Sequence, residues 1–302
     1  MPAQAIPLPL SGNTTEEQNA NLQECLAEAA RSVYGRVIEQ LDRQTAQNIL
    51  EAEDELRSEM VSLMEQAIHR RTISERFRDE EVGSDRVYPP DFRVRHIDAQ
   101  LIELRKFFPS LGACEVKLSR RPLVPGAEAW FAIPRWQAVA PTYNAAVETV
   151  LGIVASRRRL DNRIAGRLGP AYLRQSERSK LAERMLAEQQ PGNDILIVAA
   201  QAGMLHRGTS ARRTRVSMAP NEFGLGVFAF GCMLLTHPER LSMCETLMVD
   251  CGGDEYSVHG NGIFDRVPLF DYDLKGIEFS FFYEDRARNL WGTPTGFLWK
   301  AA

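Results

Sequence analysis

Cysteine is scarce and badly spaced for any staple: five residues in 302 (Cys25, Cys114, Cys232, Cys244 and Cys251), with no C-x-x-C pair. An odd, scattered set of this kind excludes a disulfide framework and fits a reducing compartment. Long apolar runs are also missing. The longest, Phe223 to Leu235, falls short of the roughly 20 residues a spanning helix needs and is interrupted by Gly224, Gly226 and Gly231, so no membrane helix is expected. The first residues, MPAQAIPLPLSG, lack a basic start and alternate apolar residues with proline, unlike a secretory signal. A cytoplasmic protein is the resulting expectation, and Asn13-Thr14-Thr15 then matches the glycosylation tripeptide only by chance.

Several chemical signatures are absent too. No P-loop occurs, since QAGMLHRG lacks its lysine, and Gly224-Leu225-Gly226 is wrongly spaced from Gly231 for a dinucleotide turn. There is no G-x-S-x-G nucleophile elbow. No C2H2 finger, RNP-like strand, helix-turn-helix or internal repeat is found.

What is present is charge, unevenly spread. The formal net charge is only -4, but residues 1–104 carry 11 basic against 20 acidic side chains, 105–216 carry 19 against 8, and 217–302 carry 6 against 12. The segments therefore net -9, +11 and -6. A basic block between acidic ones serves either as a footprint for a polyanion or as a set of internal and intersubunit charge partners.

Residues 1–12 hold Pro2, Pro7 and Pro9 and are expected to form an extended arm. Thr14 with Glu17 and Thr15 with Gln18 have capping-box spacing, and from there to about Glu81 the chain has no proline and one glycine. Apolar residues recur from Leu22 to Ala67 with a mean step of 3.75, above the 3.5 of a left-handed coiled coil. This predicts a long acidic helix, or a helical hairpin folded back near Asp42 to Asn48. Its narrow apolar stripe calls for a partner, so residues 15–81 are read as the protein-interaction or self-association region. Gly83, Pro89 and Pro90 place the boundary near residue 88, giving a helical region 13–88 and a domain 89–302.

That domain is expected to be mixed α+β with a small sheet. Glu115 to Ser119, Glu128 to Ile133, Asp194 to Ala200, Leu247 to Cys251 and Ile277 to Tyr283 read as strands. Ile97 to Phe108, Thr142 to Ser156 and Ala171 to Gln189 read as helices, with a short one opening at Thr236, Pro238 and Glu239.

Two arginine clusters are the candidate anion-binding residues. The first is Arg157, Arg158, Arg159, Arg163 and Arg167; the second is His206, Arg207, Arg212, Arg213 and Arg215. Guanidinium forks suit phosphate, and Trp130, Trp136, Tyr143 and Tyr172 nearby could stack bases. Asp250, Asp254, Glu255 and Asp265, in a glycine-rich stretch, are the candidate oxygen ligands for Ca²⁺ or Mg²⁺, although the EF-hand pattern is not met. His237, Cys244, Cys251 and His259 have the right types for zinc but intervals of seven, seven and eight, against the two to four usual in paired ligands. Beyond these no cofactor is implied.

The sequence is thus read as a non-enzymatic binding or assembly protein: a helical interaction region, then an Arg-rich anion-binding surface whose partner could be nucleic acid. Two other readings stand beside it. A metal-dependent hydrolase of a phosphate-containing substrate would need the acids and arginines in one pocket. A purely structural oligomer or virion-like component would have its arginines paired with carboxylates.

Overall fold

The computed structural model describes residues 77–299 throughout, together with 41–51 and isolated positions between 20 and 60. The chain divides into two units, Met1–Ile68 and His69–Ala302. In the smaller unit Leu41 and Asp42 are not helical, and helix α1 (Arg43–Glu51) starts immediately after them. The Asp42 carboxylate accepts the Thr45 N–H at 2.8 Å and the Thr45 hydroxyl at 3.0 Å, an N-terminal cap that also lowers its pKa. A helix therefore begins inside the polar stretch where a fold-back was expected. The Pro-rich arm, and most of 13–40 and 52–76, lie outside the described residues.

The larger unit is α+β, with two sheets of mostly antiparallel strands. In chain order it contains α2 (Ile97–Phe107), β1 (Ala129–Pro134), α3 (Tyr143–Arg157), β2 (Leu160–Asn162), β3 (Leu173–Gln175) and α4 (Glu177–Gln189). Then come β4 (Ile195–Gln201), α5 (Ala211–Ser217), β5 (Glu222–Gly224), α6 (Val227–Thr236), β6 (Met248–Asp250) and β7 (Asp254–Tyr256). The last strands are β8 (Arg266–Asp273), β9 (Gly276–Tyr283), β10 (Trp291–Gly292) and β11 (Thr295–Phe297).

The first sheet has the order β1-β4-β11-β5, every pair antiparallel. At its centre β4, the ILIVAAQ run, is buried at all seven positions, as a two-faced apolar strand must be. In the second sheet β8 is the spine: β9 pairs along one edge, β6 and β7 share the other, and β10, β3 and β2 extend it. Between the elements lies α6, whose VFAFGCMLLT sequence is apolar on all sides and is buried almost throughout. It packs on α3, α2 and β1. Gly231 lets α3 approach, because a Cβ there would overlap Val150.

Helix starts follow side-chain chemistry. Thr142, Ser176 and Ser210 each accept a backbone N–H three residues on, opening α3, α4 and α5. The Ser176 cap explains why the helix expected from Ala171 begins only at Glu177: Leu173–Gln175 instead pairs with Asp254–Tyr256. The strand expected at Glu115 to Ser119 is a 3-10 turn, Val116–Arg120, that buries Leu118 alone.

Residues 80–88, just before the expected boundary near residue 88, bond to the elements that follow. The Glu80 and Glu81 carboxylates bind Arg212 and Arg213, Val82 N–H donates to the Gly208 carbonyl, and Leu247 N–H donates to that of Val87. Tyr88 accepts the Met204 N–H and lies 4.5 Å from the fully buried guanidinium of Arg240. Residues 80–88 are thus bonded into the larger unit, and Pro89 and Pro90 follow an extended stretch.

Candidate anion-binding cleft

The second arginine cluster is turned inward. Arg212 and Ser210 both donate to Glu80, the latter at 2.6 Å; Arg213 Nε meets Glu81 at 2.5 Å, and Arg215 pairs with Glu284. Arg215 also donates to the carbonyls of Gly252 (3.1 Å) and Asp254 (2.8 Å). His206 lies 2.7 Å from the buried carboxylate of Glu222, which also accepts the Thr295 hydroxyl at 2.5 Å and the Ala219 N–H at 3.0 Å. Burial opposes ionisation of Glu222, but these bonds and the neighbouring imidazole hold its pKa below the ordinary carboxylate value. Arg207 remains exposed and donates to the Arg86 carbonyl at 3.2 Å. Apart from Arg207, the groups of this cluster expected to face a polyanion already have carboxylate partners among the described residues.

The first cluster is arranged differently. Arg163 is balanced by Asp161 and Glu278, each at 2.9 Å, and Arg167 donates to the Arg163 carbonyl. Arg157 and Arg159 are exposed, and neither has a carboxylate partner among the described residues. Arg158 is half-buried. It donates to the carbonyls of Pro238 and Leu241 and lies 5.7 Å from the Tyr272 ring, and desolvation lowers its pKa.

Arg157 and Arg158 open on a cleft of about 330 Å³ formed where α2, α3 and α6 end. Arg95 and Lys106 complete a cationic rim, and Phe107, Val154, Leu234, Leu235 and Pro238 make an apolar floor. The Arg157 guanidinium lies 5.1 Å from the Phe107 ring, where rim meets floor. Two rim charges are balanced locally: Lys106 meets Glu103 at 2.5 Å and Arg95 meets Glu239 at 3.0 Å. Under the floor His237 is buried and neutral. Its Nε2 accepts the Arg95 N–H at 3.0 Å and its Nδ1 lies 2.8 Å from the Thr236 hydroxyl; burial, then the Arg95 charge, lowers its pKa to about 4.

The four acids offered as cation ligands do not converge. Asp254 is fully buried, accepting Tyr143 O–H at 2.8 Å and Val227 N–H at 2.7 Å, so it caps α6 from a distant strand. Burial raises its pKa to about 7 despite those bonds. Asp250, also buried, is raised to about 7 in the same way, against the pull of Arg288 and Arg215. Glu255 pairs with Arg174 at 2.7 Å and Asp265 with Arg266 at 2.5 Å. No group of three or more His, Cys, Asp or Glu able to hold a metal forms among the described residues, and this covers His237, Cys244, Cys251 and His259 as well. The glycines beside these acids have a packing reason. Gly252 and Gly253 touch the backbone of Gly224 and Gly226 or the side chain of Thr293, and a Cβ at any of the four would clash.

Sequence reasoning missed Arg95 and Lys106 as rim residues. Lys106 had a signal, being a basic residue in the last turn of an expected helix beside Phe107; Arg95 had none, since only folding brings it to α6. It also missed Glu183, which lines a smaller cleft of about 50 Å³ with Tyr143, Gln175 and Ser179. Burial raises the Glu183 pKa, although Gln175 donates to it at 2.9 Å.

No helix among the described residues is long and apolar enough to cross a membrane. Comparison with protein-family models, curated proteins and solved structures finds no match to this chain.

Proposed function

We propose that the protein is a non-enzymatic binding or assembly protein whose α+β unit takes an anionic partner at the cleft of Arg95, Lys106, Arg157 and Arg158. The supporting observation is the cleft itself: four cationic side chains meet on one concavity, and Arg157 has no carboxylate partner among the described residues. A cation left unpaired at the mouth of a low-dielectric pocket attracts an anion more strongly than the same charge on an open surface. The part of region 15–81 that falls in the smaller unit, Met1–Ile68, is the proposed surface for self-association or a protein partner; α1 buries none of its own residues.

Binding of small anions and of a single-stranded oligonucleotide, measured at about 50 and 200 mM salt, tests this reading, since phosphate contacts give a steep salt dependence. Arg157→Glu together with Lys106→Glu is expected to lower anion affinity at least tenfold with the fold intact. Failure of every anion to bind at low salt would reject the reading.

A further inference from the structure

We infer that the ligand of this cleft is an amphipathic acid, a carboxylate or phosphate headgroup carrying one apolar chain; the inference rests on the anion-binding reading above. The lining sets four cations and one acid, Glu103, which is taken up by Lys106, beside an apolar floor. Arg157 and Arg158 are the two cations of the rim without a carboxylate partner, Arg158 being held in place by the Pro238 and Leu241 carbonyls. Their charges match one headgroup, and guanidinium forks suit either a carboxylate or a phosphate. Phe107, Val154, Leu234, Leu235 and Pro238 offer only apolar surface, for which a bare inorganic anion has no use. A volume of about 330 Å³ sits at the small end of the range for small-molecule sites.

Charge around the cleft argues against an extended polyanion. A nucleic-acid backbone needs a run of cations along its path. Here Arg163 is neutralised by Asp161 and Glu278, and Arg212, Arg213 and Arg215 of the second cluster by Glu80, Glu81 and Glu284. At the cleft itself only Arg157 and Arg158 are without a carboxylate partner among the described residues, enough for one headgroup but not for a backbone path. Lys106 and Arg157 also occupy the last turns of α2 and α3, where cations offset the helix dipole, so the test must separate ligand binding from that structural role.

Titration calorimetry of the full chain with hexanoate, octanoate, decanoate, decyl phosphate, inorganic phosphate and an oligothymidylate, all below micelle-forming concentrations, makes the separation. Affinity is expected to rise about fourfold per added methylene, or about 0.8 kcal/mol, and decyl phosphate should far exceed inorganic phosphate. Arg157→Gln should lower decanoate affinity about tenfold with the thermal midpoint little changed. Phe107→Ala should flatten the chain-length dependence, and the exposed Arg184→Gln, on α4, should leave binding as it was. Should Phe107→Ala fail to fold, Arg157→Gln alone decides the outcome. Inorganic phosphate or the oligonucleotide binding as tightly as decanoate, without chain-length dependence, would overturn the inference and leave the anion-binding reading standing. If no probe binds, both fall. Decanoate affinity unchanged by Arg157→Gln, or chain-length dependence unchanged by Phe107→Ala, would put the site elsewhere and overturn the inference.

Discussion

Two arginine clusters of similar composition, about fifty residues apart, meet opposite fates. Around α5 the guanidinium groups are covered by Glu80, Glu81 and Glu284, carboxylates drawn from positions far away in the chain. At the end of α3, Arg157 and Arg159 stay outside, and Arg158 is held by carbonyls and the Tyr272 side chain. Local basic density is the same signal in both places. What separates them is whether a distant acidic segment folds alongside: it covers Arg212, Arg213 and Arg215, and leaves Arg157 and Arg159 without a carboxylate partner among the described residues.

The largest effect should come from the inner network. Glu222→Ala strands the His206 imidazole, the Thr295 hydroxyl and the Ala219 N–H, all of which bond its carboxylate. Removing one partner of a buried charged network costs about 3–5 kcal/mol, so urea denaturation should show a midpoint far below that of the wild type. A loss under about 1 kcal/mol would mean that the network is dispensable.

The pH dependence should expose the other buried groups. Asp254 has a folded pKa of about 7, above its unfolded value of about 3.8. Its contribution to stability is complete below the unfolded pKa and is lost as pH rises through 7, at about 1.4 kcal/mol per pH unit. His237 acts in the opposite sense: with its folded pKa depressed to about 4, it costs stability as pH falls from about 6.5 to 4, on the order of 3 kcal/mol in all. Asp254→Asn should cancel the first slope, so that stability measured from pH 4 to 8 declines less steeply than in the wild type. An unchanged slope would contradict the burial argument for Asp254.

A smaller loss is expected for Glu80→Ala, about 2 kcal/mol, because Ser210 loses its acceptor while Arg212 is over a third exposed and can turn to water. The outer cluster marks the lower limit. Arg159→Gln should shift stability by less than about 0.5 kcal/mol, and a comparable loss at Glu80 and Arg159 in thermal melts would erase the distinction between the clusters.

Much of the scaffold could be read from local chemistry. The apolar run Asp194 to Ala200 announced the buried β4, and alternation of Phe279, Phe281 and Tyr283 with Glu278 and Ser280 announced β9. Other elements were hidden by contrary local signals. β8 carries Pro268 in its interior, which ordinarily argues against a strand, yet it pairs with β9 over its whole length. Ala171 to Gln175 has helical composition, but Leu173 is fully buried and its segment is captured by β7. The acids at 250–254 looked like an open, glycine-rich loop. The glycines instead allow two backbones to touch, and that contact buries Asp254 at the start of α6.

The candidate site was half legible. Arg157 and Arg158 could be named because they follow an apolar helix, whereas Arg95 reaches the rim only because its N–H bonds His237, 142 residues later. By itself the order of residues determined the secondary-structure class, the helix start at Thr142 and the sign of the charge in each third, since all of these depend on neighbours within a few positions. Which charges are cancelled, which carboxylates are buried and where a cleft opens were decided by tertiary structure alone. Coulombic and desolvation energies depend on separation in space, and only the fold sets that separation.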